Sequence, residues 1–109
     1  IHTCGLYDDR FDLVLKESGD AWHISDTKTK KVKEEYGEYV ALMGNIPCCS
    51  ILMEGTEQKV YDYALQECLD GGYDGRFILS GDCDLSPLTP DENIVAAVRA
   101  AKDAEKILF

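Results

Sequence analysis

Three side chains of this chain have the chemistry of a divalent-metal site: His2 and Cys4, separated by one residue, and Cys83, far along the sequence. Alternate residues of a β-strand share a face, so a strand over residues 1–5 would point His2 and Cys4 the same way. Cys83 follows the apolar run Phe77-Ile78-Leu79, which reads as a buried strand broken by Ser80-Gly81-Asp82. If the strands are parallel, all three residues lie towards the C-terminal strand ends, where ligands and catalytic groups collect. One imidazole and two thiolates make a catalytic zinc set with an open fourth position. The two thiolates cancel the charge of Zn²⁺, so a substrate thiol bound there as thiolate keeps its negative charge, which suits alkyl transfer to sulfur. Two core residues on a strand would show the same His-X-Cys spacing, and the spacing alone admits both readings.

Other polar residues have weaker claims. Asp26 and Asn45 both fall at expected strand ends, where a parallel barrel places its active site and where turn formation accounts for them equally well. Of the adjacent Cys48 and Cys49, at least one is expected to pack as a small apolar residue, and Cys68 falls on a helix's apolar stripe. His23 alternates away from Asp26 and reads as a helix-facing or surface histidine. Asp84, beside Cys83, is placed to support that ligand from outside.

The elements that must position these groups alternate regularly. Residues 8–18 read as a helix stopped by Gly19, residues 21–26 as a strand, and residues 29–36 as a lysine-rich helix ending at Gly37. Val40-Ala-Leu-Met is a continuous apolar strand closed by Gly44-Asn45, and a short helical turn follows Pro47. Thr56 caps a long helix ending at Gly71-Gly72. After the Phe77 strand, Thr89-Pro90-Asp91-Glu92 reads as a capping box, and the last helix, to about Lys106, is expected to bury Ile94, Val95, Val98 and Ala101. The order is β-α four times, which predicts an α/β fold with a four-stranded parallel sheet in sequence order and helices on one side. Four such units are half of a (β/α)8 barrel, and a small open parallel sheet fits the same length. In a half-barrel, Trp22, Ile24, Ala41 and Met43 are expected to lack cover, and such patches mark interfaces.

The chain has 109 residues, 21 acidic against 11 basic, for a net charge of −10. This allows one domain and opposes binding to nucleic acid or an anionic membrane. With no long apolar run, no signal-peptide pattern and an odd five cysteines, the expectation is a cytoplasmic protein with reduced or metal-bound thiols. The opening at Ile1 reads as a strand already under way, hence as a piece of a longer protein.

Several segments together resemble the C-terminal half of the uroporphyrinogen decarboxylase superfamily. They are His2-Thr3-Cys4-Gly5, Val40-Ala-Leu-Met-Gly-Asn-Ile46, Gly55-Thr56, Phe77-Ile78-Leu79-Ser80 with Cys83-Asp84-Leu85, and Thr89-Pro90-Asp91-Glu92-Asn93. His-X-Cys with a distant Cys after the last strand resembles its zinc-dependent branch, which moves methyl groups from a corrinoid protein to a thiol such as coenzyme M. The resemblance implies the C-terminal half of a (β/α)8 TIM barrel over residues 1–109, zinc on His2, Cys4 and Cys83, and a corrinoid-carrying partner protein. Asp26 and Asn45 would orient the cobamide or the thiol. The remaining partner is the N-terminal half or a second copy of the chain. Two alternatives stand beside it: a metal-free porphyrinogen decarboxylase, and a non-catalytic half-barrel that serves binding or assembly.

Overall fold

The computed structural model describes residues 1–17 and 19–109. In chain order these form α1 (Phe11–Glu17), β1 (Ala21–His23), α2 (Thr29–Tyr36), β2 (Ala41–Ile46), a π-helical turn (Cys48–Met53), α3 (Glu57–Gly72), β3 (Phe77–Gly81) and α4 (Asp91–Leu108). The strands lie in the order β1-β2-β3 and both pairs are parallel. Residues 1–5, expected as a further strand, form a single parallel bridge from His2 to His23. Its bonds are those of a short ladder, with His23 N–H donating to the Ile1 carbonyl at 2.8 Å and Thr3 N–H to the His23 carbonyl at 3.1 Å. The expected parallel order therefore holds, with a three-stranded sheet extended by one bridge.

Register decides which side chains meet the helices. Trp22 pairs with Leu42 and Leu42 with Phe77, and Trp22, Ile24 and Leu42 are fully buried with Phe11, Val14, Val32 and Val40. Trp22 also donates its indole N–H to the Thr3 hydroxyl at 2.8 Å, so the largest core side chain leaves no polar atom unpaired. Trp22 and Ile24 are thus covered by this chain's own helices, contrary to expectation. The uncovered face is the opposite one, carrying His23, Met43 and a half-exposed Ile78.

Other boundaries moved for local reasons. The first helix starts at Phe11, and the expected Ser18 end lies outside the described residues. β1 stops at His23, and Asp26 takes a positive φ of 26° in the connection to α2. β2 runs on through Gly44 and Asn45 to Ile46. Gly44 has φ +143°, and a Cβ there would lie 3.3 Å from Ile24, so the close packing of β1 on β2 requires glycine. Thr56 caps α3 as expected, accepting from Lys59 N–H at 3.2 Å.

The last helix is turned relative to expectation. Its buried residues are Asn93, Ala96, Ala100 and Ala104, while Ile94, Val95 and Val98 are 39%, 62% and 51% exposed. A stripe of alanine lets α4 approach α3 closely, packing on Val60 and Ala64, and Asn93 donates to the carbonyls of Leu52 and Gly55 at 2.8 and 2.9 Å. The expected capping box does not form: the N-cap is Pro90, and among the described residues no side chain caps the helix and the buried Thr89 hydroxyl has no hydrogen-bond partner. Among the described residues no helix is long and apolar enough to cross a membrane.

Candidate metal centre

The bridge at His2 and the end of β3 bring the two distant parts of the chain together. Cys4 Sγ and Cys83 Sγ lie 3.7 Å apart, and the donor atoms of His2, Cys4 and Cys83 are all within 4.8 Å of one another. A tetrahedral ion with metal–sulfur bonds of about 2.3 Å holds two sulfurs about 3.8 Å apart, so these thiols already stand at the separation of two ligands. On a flat sheet the His2 segment and β3 would be separated by three strand spacings, about 14 Å. The sheet is therefore curled, and its curl is sufficient to join the first and last segments within this chain.

Each donor is held by its surroundings. His2 Nδ1 lies 3.3 Å from the His23 carbonyl oxygen. A carbonyl only accepts, so the proton of the neutral ring belongs on Nδ1 and the lone pair on Nε2, the arrangement in which a backbone carbonyl orients a metal-binding imidazole. Cys83 is clasped through its backbone: its N–H donates to Cys48 Sγ at 3.2 Å, and the Cys48 thiol donates to its carbonyl at 3.0 Å. Asp82 completes the clasp by accepting from Cys48 N–H at 3.0 Å. The carboxylate tied to the site is thus Asp82, where the sequence pointed to Asp84.

The thiols differ in character. Cys4 and Cys83 are solvent-accessible, and the hydrogen bond that the Cys4 thiol makes to Cys83, followed by the charge on Cys83, pushes the Cys4 thiol up. A cation between the two reverses the balance, because it favours both thiolates. Burial, with a further contribution from Asp82, pushes Cys48 up to about 11. Cys48 therefore stays a protonated thiol that packs and donates, as its buried position suits. Burial likewise pushes Cys68 up to about 11, and it lies in the core as expected.

Asp26 and Asn45 stand beside this centre, lining a cleft of about 680 Å³ that also includes Lys31, Tyr63 and Asp82. Asn45 is buried; its Nδ2 donates to the Thr27 carbonyl at 2.6 Å, while Oδ1 has no hydrogen-bond partner among the described residues. Such a group is satisfied by a donor entering from the cleft. His23, read from sequence as facing a helix or solvent, instead lies on the sheet face away from the helices, in contact with His2. Neither it nor Cys48 could be placed from spacing, since their roles arise from contacts between strands.

Comparisons with known proteins identify the family. The uroporphyrinogen decarboxylase (URO-D) family profile matches residues 1–104, and the chain belongs to that family. It is 30% identical over 109 residues to a methylcobamide:CoM methyltransferase, MtaA, of Methanosarcina barkeri, covering 94% of this chain and 30% of the relative. It is 29% identical over 106 residues to a methylated-thiol–coenzyme M methyltransferase of Methanosarcina mazei, covering 94% of this chain and 27% of the relative. A solved methyltransferase from Methanosarcina mazei superposes with a TM-score of 0.73 at 29% identity, over 94% of this chain and 30% of that one. The chain thus spans about 30% of the length of these proteins.

Proposed function

We propose that this chain is the metal-bearing, C-terminal half-barrel of a methyltransferase that moves a methyl group from a methylcorrinoid protein to a thiol such as coenzyme M. The observation that carries the reading is the convergence of His2, Cys4 and Cys83, a borderline-soft donor set suited to zinc. Zinc, when bound, supplies a Lewis acid that keeps the acceptor thiol deprotonated near neutral pH. The rest is the work of the chain's own groups. His2, Cys4 and Cys83 hold the ion on a solvent-open side of the site, Cys48 and Asp82 keep Cys83 in place, and Asn45 and Asp26 orient the incoming substrate from the cleft. A methylcorrinoid bound against this site would supply the methyl group, and the deprotonated acceptor thiol would supply the sulfur that receives it. Residues of the N-terminal half of such a protein, or of a second copy, would close the barrel against the uncovered sheet face and the exposed side of α4.

The test is metal titration with X-ray absorption on the wild type and three variants. One equivalent of zinc should bind with sulfur near 2.3 Å and nitrogen near 2.0 Å. Cys4→Ser and Cys83→Ser should each weaken binding sharply, whereas Cys68→Ser, a core change away from the donors, should not. Equal loss in all three would overturn the assignment.

A further inference from the structure

We infer that His23 is the positioning residue that locks the two halves of the metal site together, an inference that rests on the zinc reading above. The donors are anchored to different parts of the sheet. His2 belongs to the bridge on β1, whereas Cys83 follows β3, and its loop is fastened to β2 by Asp82 N–H donating to the Ile46 carbonyl at 2.9 Å. His23 reaches both. Its Nε2 donates to the Gly81 carbonyl at 2.7 Å, so a side chain from β1 crosses β2 to hold the backbone two residues before Cys83. Two strand spacings are about 9.6 Å on a flat sheet, and the span is possible only because His23 lies on the concave, helix-free face.

The same residue fixes His2 in two ways. Its ring centroid is 4.4 Å from that of His2 at an interplanar angle of 43°, which limits rotation of the ligand imidazole. Its carbonyl oxygen faces His2 Nδ1, which selects the tautomer whose Nε2 lone pair is free. His23 thereby sets ligand orientation on one side and ligand distance on the other. The Gly81 carbonyl can only accept, so this role requires the His23 proton on Nε2.

Zinc affinity of the 109-residue chain, measured by competition with a chromophoric chelator, tests this with His23→Leu and His23→Gln. Loss of an outer partner of a metal ligand typically costs about 10- to 100-fold in affinity, and His23→Leu should fall in that range. His23→Gln, whose amide can still donate to the Gly81 carbonyl, should recover most of the loss, and cobalt(II) spectra should show the thiolate bands of wild type restored in Gln and altered in Leu. Equal affinity of wild type and His23→Leu, or no recovery in Gln, overturns the inference and leaves the zinc reading intact. Failure of wild type to bind zinc overturns both. Should the Leu variant not fold, nitrogen-15 NMR of the wild-type imidazoles decides: a His23 ring protonated on Nε2 supports the clamp, and one protonated only on Nδ1 refutes it.

Discussion

Glu67 offers a test of the packing that needs no metal. Its carboxyl is buried between α2 and α3, where Oε2 accepts from the Thr29 hydroxyl. Burial raises its pKa from the ordinary 4.5 to about 7; the Thr29 hydrogen bond opposes the rise and the nearby Asp70 adds to it. The folded state thus holds this proton more tightly than the unfolded chain. The stability this contributes is fully present below about 4.5, declines as pH rises towards 7, and is gone above it. At 1.36 kcal/mol per unit the swing is on the order of 3 kcal/mol. Glu67→Gln removes the titration while keeping an acceptor for Thr29. It should match wild type near pH 4.5 and exceed it by up to about 3 kcal/mol at pH 8. Urea unfolding of both proteins across this range is the assay, and their difference is the quantity to read. Asp8, held low by the neighbouring Thr27 and Lys31, and Asp74, held low by Lys33, lose stability as pH falls and act equally in both proteins. Parallel pH profiles would refute the argument.

Two further outcomes follow from other contacts. A Cβ on Gly81 would lie 2.8 Å from Cys48 Sγ and 3.1 Å from Leu85, so Gly81→Ala should push Cys48 off Cys83, destabilise the fold by about 1–3 kcal/mol, and weaken zinc binding in the same chelator assay. The exposed Ile94 and Val98 border an apolar groove of about 310 Å³ with Leu79 and Leu85. The isolated chain should self-associate through it at micromolar concentration and become monomeric on Val98→Asp, a shift that sedimentation velocity detects; a stable wild-type monomer would contradict this.

The sequence made the parallel order legible because each unit carries strong local signals, such as the Thr56 cap and the stop at Gly19. It misplaced what depends on neighbours. In α4, Ile94, Val95 and Val98 form the more hydrophobic stripe, but Ala96, Ala100 and Ala104 are buried, since close helix approach rewards small size as much as apolarity. Trp22 and Ile24, expected to lack cover, are buried, because which face the helices cover is a property of the whole sheet. That His2, Cys4 and Cys83 are candidates was legible from their types and expected strand ends, while their spacing alone left a core reading open and the family resemblance supplied the ligand set. The clasp by Cys48 and the crossing of His23 were not legible, because a thiol on a backbone amide and a histidine on a carbonyl two strands away leave no pattern in spacing.

The near-contact of Cys4 and Cys83 has a consequence for how the chain holds together. They are 79 residues apart in sequence, so an ion gripped by both thiols ties a loop that encloses nearly every helix and strand. Tethering so long a loop removes much of the freedom of the unfolded chain, as a covalent cross-link would. Metal affinity and folding stability then become one thermodynamic quantity seen from two sides: whatever loosens any layer of the sheet loosens the ion, and whatever strips the ion frees the whole loop.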